Sequence, residues 1–410
     1  MACVKRRRGR WVVDFRDQDG NRRWESHKTR DEANRALEKL GSAVRQRTYR
    51  APAELPTLEA VARDWFATKA GHRVSTQAGY QVHLDTHILP AFASMTTPAL
   101  GKRRIDQIGV ADVDAFREDR RAAGLAPQTV NKLLTTLAAV FTFAERRELV
   151  TRNPAAVAER CRLNAGEVTM ELQPDTEVDD TDDSINPDDV LSPEEAAPLI
   201  AAAAAGFDKT YLLTAVLTGA RVGELTALTW DDVNFQTGRL SIRRSLSWAK
   251  LRGQPGSNPR FYEPKTTAGK RTIDLAPELV SALKPWKLAC PKGSFNLVFP
   301  NLDGSPRHRT TITYGTLRPA LKAAKLRQVT LHSLRHTCAS ALILGGTDCL
   351  EVAKFLGHAK PTITLSVYAH WFNTRRTAGT MSSVVGAVFG TVGSAPEAAS
   401  DKGLLDGTGR

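Results

Sequence analysis

The chain has 410 residues, 41% of them hydrophobic and 25% charged, with a formal net charge of +13 and an isoelectric point near 9.7. That length calls for two or three domains with ample core material, and the positive excess points to a polyanionic partner, nucleic acid before any other. Five scattered cysteines, none spaced Cys-x-x-Cys, argue against a disulfide framework or a zinc site. No apolar run approaches the ~18 residues of a membrane span, and no apolar stretch follows the basic N-terminus as in a signal peptide, so a soluble cytoplasmic protein is expected.

The charge is unevenly placed. Residues 1–50 carry a net +8, residues 51–160 a net +2, residues 161–190 a net −9 and residues 191–390 a net +13. Two basic blocks on either side of an acidic stretch suggest DNA-facing modules joined by a linker.

In chain order, residues 11–16 and 22–27 are strand-like runs separated by DQDGN, which holds an Asp-Gly turn signal. Thr29 to Glu32 forms a capping box, opening a helix to roughly Arg47 with Ala33, Ala36, Leu37, Leu40 and Val44 on one face. With the flanking KRRRGR, this unit is a candidate DNA-binding module whose contacts would be Lys5, Arg6, Arg7, Arg8 and Arg10. Helical spacing recurs at 57–69, 75–88, 110–123, 127–147 and 153–160, broken by Pro90, Pro98, Gly109, Gly124 and Pro154. Lys102, Arg103 and Arg104 fall between these helices, where phosphate contacts could form. Residues 161–190 hold ten acids and one base and read as an extended or disordered linker. Order resumes at Ser192 to Glu195, a second capping box with Pro193 at the first helical position. Two helices follow, then strands at 239–245, 260–264 and 270–275, the last two expected to form a hairpin around Lys265. Helices return at 311–324, 332–344 and 348–356, and the tail 391–410 is expected to be disordered.

Six polar residues carry the chemistry: Arg221 in TGARVGEL, Lys265 in EPKTTAGKRTIDL, His332 and Arg335 in HSLRHT, His358 in FLGHAKP and Tyr368 in LSVYAHW. Two guanidiniums, an ammonium, two imidazoles and a phenol, without a carboxylate, suit a phosphodiester attacked by a tyrosine oxygen. His332 and Arg335, three apart on a helix, share a face. His336 lies four from His332, but Ser333 stands where a metalloprotease-like motif needs Glu, so no metal is expected. Arg221 opens a helix, where a guanidinium fork can bind two phosphate oxygens. Taken alone, such an arginine is more often a surface ion pair, here with Glu224.

The order and context of these motifs closely resemble the catalytic domain of tyrosine recombinases, the phage-integrase family. The resemblance extends to residues 55–160, similar to the family's SAM-like helical core-binding domain, and more loosely to residues 1–50, similar to an arm-site-binding domain with a three-stranded sheet and one helix. It implies a multidomain α+β protein: a small sheet-and-helix domain, an all-α domain, an acidic linker at 161–190 and a mainly-α catalytic domain over 191–390 with a small antiparallel sheet. It implies that Tyr368 attacks the scissile phosphate to give a 3′-phosphotyrosyl link, with His332 as general base and Lys265 as general acid. Arg221, Arg335 and His358 would bind the phosphate. No cofactor, metal or ATP is required. The partners implied are double-stranded attachment sites, three further copies in a homotetramer, an excisionase or other directionality factor, and a host DNA-bending protein.

Some details depart from the family pattern. Ser333 occupies a position often held by Asp or Gly, the acidic linker is longer than usual, and Lys270 and Arg271 compete with Lys265 for the acid role. The segment with Val384, Val385, Val388 and Phe389 resembles an element that packs on a neighbouring protomer. A Xer-type chromosome-dimer resolvase is the nearest rival, disfavoured by the extra basic block at 1–50. A type IB topoisomerase differs in layout, and a non-catalytic DNA-binding protein would not need all six residues.

Overall fold

The structure is a computed structural model that describes residues 2–45, 55–90, 99–162, 190–253, 259–264 and 266–374, with side chains left undescribed at 366 and 370–374. The expected acid Lys265, most of the acidic linker, the 384–389 segment and the tail lie outside these residues. The described residues fall into two compact units, those within 1–177 and 248–259 and those within 178–247 and 260–410.

In the first unit, β1 (Cys3–Arg7), β2 (Arg10–Arg16) and β3 (Arg22–His27) form an antiparallel sheet in that order. The expected strands are present, and the basic KRR run joins them as a third. The period-2 alternation sends Val4, Trp11, Val13 and Phe15 to one face, where α1 (Arg30–Arg45) covers them with Ala33, Ala36, Leu37 and Leu40. The capping box closes as expected: Glu32 N–H donates to Thr29 Oγ1 at 3.2 Å and Thr29 N–H to Glu32 Oε2 at 3.3 Å. The opposite face carries Lys5, Arg7, Arg10, Arg16 and Arg22, with Asp14 paired to Arg22 at 2.7 Å and Lys5 at 3.4 Å. Trp24 lies on that face and is 68% exposed.

The helical part comprises α2 (Leu58–Ala67), α3 (Val74–Val82), α4 (Val110–Ala122), α5 (Pro127–Arg146) and the short α6 (Pro154–Val157). α3 continues into a π-type turn, His83–Ile88. Val130, Leu133, Leu134, Leu137, Val140 and Phe141 of α5, spaced at i, i+3 and i+4, are fully buried and form the spine of this core with Leu58, Val61, Leu84 and Phe116.

The second unit opens with α7 (Pro193–Ala202), capped reciprocally by Ser192 and Glu195, and α8 (Phe207–Thr218). After α9 (Val222–Thr226) come β4 (Val233–Asn234), β5 (Arg239–Ile242), β6 (Ser245–Ser247), β7 (Arg260–Tyr262) and β8 (Arg271–Asp274). These strands make two small sheets, β4-β5-β8 and β6-β7. The expected hairpin of 260–264 with 270–275 is therefore corrected: β7 pairs with β6 and β8 with β5, so the strands on either side of Lys265 belong to different sheets. Strands of three or four residues gain too little from local turns to fix their partners, and pairing follows from burial of Leu240, Ile242 and Ile273 in the main core. α10 (Pro277–Ala289), α11 (Arg309–Ile312), α12 (Arg318–Ala323), α13 (Leu331–Leu344), α14 (Cys349–Leu356) and α15 (Pro361–Thr374) complete the unit. No helix among the described residues is long and apolar enough to cross a membrane.

Candidate active site

α8 ends at Gly219, which adopts the left-handed conformation at φ 56°, and the chain turns into α9 with Arg221 as its N-cap. Glycine is needed there twice over, because a Cβ would also lie 2.7 Å from Leu356 Cδ2 and 3.2 Å from Cys338 Sγ. Arg221 N–H donates to Glu224 Oε2 at 2.9 Å and Arg221 Nη1 donates to Glu224 Oε1 at 3.3 Å. The ion pair read as the ordinary alternative for Arg221 thus exists, but Glu224 is not a surface acid. It is buried and also receives Arg271 from β8. Burial alone raises the Glu224 carboxyl, but Arg271, then Arg221 and Arg335, outweigh it and hold it at about 2.

α13 begins with Thr330 as N-cap: Ser333 N–H donates to Thr330 Oγ1 at 3.1 Å and Thr330 N–H to Ser333 Oγ at 3.2 Å. Ser333, the departure from the family pattern, closes this cap. The helix then buries Arg335, His336 and Thr337 in succession. Arg335 Nη1 donates to the Gly219 carbonyl at 2.7 Å, which ties α13 to the turn before Arg221. Its Nη2 is buried and has no hydrogen-bond partner among the described residues. Burial, followed by the charges of Arg221 and Arg271, pulls Arg335 down to about 9, so it remains a cation at neutral pH.

His358 follows α14 through Gly357, again left-handed at φ 74°. Its Nδ1 lies 2.7 Å from Thr364 Oγ1 and its ring is buried. Burial and then the charges of Arg335, Arg221, Arg271 and His332 lower His358 to about 3. Three guanidiniums, from the N-cap of α9, from β8 and from α13, therefore act on one imidazole, and among the described residues the carboxylate of Glu224 stands between them.

Tyr368 sits on α15, which packs on α13 and α14. Its ring is fully buried against Ala339, Ile343, Val352 and Leu356, and its hydroxyl oxygen lies 2.5 Å from His336 Nδ1. His332 stacks edge-on against His336 with centroids 4.5 Å apart. Burial first, then His332, Arg335 and His358, lower His336 to about 2.

The structure thus brings together Arg221, His332, Arg335, His358 and Tyr368, while Lys265 lies outside the described residues. Sequence reasoning misses Glu224 as the hub of the guanidiniums, Arg271 as its buried partner, and His336 as the contact of Tyr368. A signal for His336 is present, since residues i and i+4 on a helix share a face, but in the sequence that spacing raises only a metal-ligand reading, which Ser333 counts against. Arg271, a candidate acid for the leaving group on sequence grounds, instead makes an internal ion pair. Elsewhere, Arg103 is held by Asp112 at 2.6 Å and Arg104 by Asp106 at 2.6 Å, so both hold loops of the helical part. Arg6 lies over the Trp11 ring on the α1 side of the sheet, and Arg8 occupies the β1–β2 turn at φ 48°.

Residues 189–375 match the model of the phage integrase family. Over 291 residues the chain is 26% identical to the ICEBs1 integrase of Bacillus subtilis, covering 67% of this chain and 70% of that protein. It is 29% identical over 293 residues to the transposase from transposon Tn916 of Enterococcus faecalis, covering 66% of this chain and 65% of that protein. Among solved structures, the Tn1549 transposon integrase in complex with a circular intermediate DNA shares the fold, with a TM-score of 0.60 and 19% identity over 81% of this chain and 99% of that one. Residues 189–375 thus form a phage integrase family domain, and the relatives that extend beyond it are an integrase and a transposase.

Proposed function

We propose that this recombinase integrates and excises a phage or other mobile element by cutting attachment sites through a 3′-phosphotyrosyl intermediate. The observation that carries the reading is the buried, unpartnered Nη2 of Arg335, set among Arg221, His358 and Tyr368. A buried donor left unsatisfied is costly unless an acceptor completes it, and a non-bridging phosphate oxygen is such an acceptor. Arg221 and Arg335 bind the two non-bridging oxygens, where charge develops in the transition state, and His358 adds a third hydrogen bond. Tyr368 oxygen forms a bond to phosphorus as the bond to the 5′-oxygen breaks. His332 takes the phenol proton and Lys265, between β7 and β8, gives one to the leaving oxygen. The phosphoester is retained in the protein link, so reversal onto a partner strand needs neither ATP nor metal.

Strand exchange between two sites requires four such protomers on DNA. The open face of the β1–β3 sheet supports binding of accessory arm sites, with Lys5, Arg7 and Arg10 among its bases, and the helical part supports the crossover core, with Lys102 among its candidate contacts. An excisionase and a host bending protein would set direction, and the reaction would take place in the cytoplasm on the nucleoid. A duplex nicked near the cleavage point tests the assignment: wild type becomes covalently attached and Tyr368→Phe does not. Capture that survives in the Phe variant overturns Tyr368 as nucleophile.

A further inference from the structure

We propose that His336 is a positioning residue for the nucleophile, holding the Tyr368 hydroxyl in a withdrawn pocket from which the phenol must be released before it meets DNA. The inference rests on Tyr368 being the attacking group. Two observations motivate it. Tyr368 is 0% exposed and His336 only 4%, and the two are joined by a 2.5 Å hydrogen bond between Nδ1 and the hydroxyl. A reacting phosphorus must approach the attacking oxygen to roughly 3–3.5 Å with its other oxygens intact around it. A fully buried phenol whose hydroxyl abuts a buried imidazole offers no such approach.

The surroundings favour holding over proton removal. His336 faces His332 and Arg335 from its own helix, His358 from the turn after α14, and Tyr368 from α15. Two of those neighbours are further imidazoles and one is a guanidinium. With burial, they disfavour a second proton on His336, so it stays neutral with the phenol beside it. The ring of Tyr368 meanwhile rests on Ala339 and Ile343, one and two turns further along α13. The hydrogen bond and this apolar seat act on the same side chain, so loss of the bond loosens the seat.

The test uses the full-length protein and reads accessibility separately from chemistry. Tetranitromethane nitrates exposed phenols, and mass spectrometry reports each tyrosine. Tyr211, also 0% exposed in the core of the same unit, serves as the internal fold control. Without DNA, Tyr368 should nitrate roughly fivefold or more faster in His336→Phe, which fills the ring's volume without a nitrogen, than in wild type. In His336→Asn, whose amide can still meet the phenol, it should stay near the wild-type rate, with Tyr211 protected throughout. Covalent capture on the nicked duplex should be faster in the Phe variant than in wild type. Unchanged Tyr368 nitration beside a protected Tyr211 overturns the proposal, and so does slower capture that Asn restores, which would make the bond part of the reaction itself. If Tyr211 reacts in the Phe variant, His336→Leu, which also lacks a hydrogen-bonding group, replaces it, and unchanged Tyr368 nitration there is equally decisive. Should Tyr368→Phe still capture DNA, the nucleophile assignment fails, while nitration continues to report whether His336 holds the phenol.

Discussion

Arg271 closes a two-pronged ion pair on Glu224, Nη1 to Oε1 at 3.2 Å and Nη2 to Oε2 at 2.9 Å, with the two side chains only 6% and 4% exposed. Because Glu224 also holds Arg221, the pair decides where the Arg221 guanidinium points. Removing one partner of a buried pair leaves an uncompensated charge, at a cost of about 3–5 kcal/mol. Arg271→Gln is therefore expected to destabilise the protein by that order and to lower cleavage by drawing Arg221 inward to neutralise Glu224. The double variant with Glu224→Gln should recover part of the stability. Urea unfolding of the four proteins gives the coupling energy, and strictly additive losses would deny it.

Arg221 and Arg335 are expected to fail differently. The Arg221 side chain is 24% exposed, and its backbone N–H still serves Glu224 when the guanidinium is gone. Arg221→Ala should cut covalent capture by on the order of 10²-fold while DNA binding and melting temperature change little. Arg335→Lys should lose activity by a similar order and stability as well, since an ammonium cannot both meet the Gly219 carbonyl and reach outward as a planar fork does. Equal loss of DNA binding in Arg221→Ala would assign it a docking role instead.

Acid should weaken the catalytic unit through its buried imidazoles. Burial lowers both His336, with His332, Arg335 and His358 adding to it, and His358, with Arg335, Arg221 and Arg271 adding to it, to about 2 and about 3. The unfolded chain takes up protons at these positions near pH 6.5 and the folded one does not. Stability is therefore full above pH 6.5 and falls as pH drops toward the folded values, by on the order of 2 kcal/mol per histidine between pH 6.5 and 5. Glu224, held at about 2, contributes full stability above the ordinary glutamate range and loses it only as pH falls toward that value. Urea midpoints at pH 7.5 and 5.0 check this, and His336→Asn should show a visibly smaller change between them. An unaltered slope in that variant would contradict the assignment.

On the N-terminal sheet, the two faces should separate in their salt dependence. Lys5 and Arg22 share the face away from α1, whereas Arg6 leans on Trp11 on the covered side. Replacing Lys5 and Arg22 by Ala should weaken binding to accessory DNA and lower the salt slope by roughly one for each phosphate left without its cation. Arg6→Ala should leave that slope alone. The measurement is filter binding or anisotropy over a salt series, and an equal effect of all three would mean that the face is not selective.

Much of this is legible along the chain. The reciprocal caps at Thr29–Glu32 and Ser192–Glu195 and the apolar stripe of α5 are local patterns, and local patterns survive folding unchanged. α15 does not read as a helix, because Thr362, Ile363, Thr364 and Val367 are β-branched and its helicity comes from packing on α13 and α14. The Glu224–Arg271 and His336–Tyr368 contacts join residues 47 and 32 positions apart, distances over which no periodicity speaks. Motif resemblance picks out the proposed reacting groups; only the folded chain shows what each one leans on.

The glycines at 219 and 357 carry a lesson for anyone reading mutational scans of this protein. A Cβ at 219 would strike Leu356, and one at 357 would fall 2.9 Å from the Ala268 carbonyl and 3.0 Å from Arg271 Nη1. A side chain at either position acts as a wedge between the segments that carry Arg221, Arg271 and His358. Screens scored by recombination would rank both glycines beside the proposed reacting groups, although neither has an atom able to bind phosphate through a side chain. Their loss would register as lost chemistry when the fault is spacing, and a compensating truncation such as Leu356→Ala would be the kind of suppressor that tells the two apart.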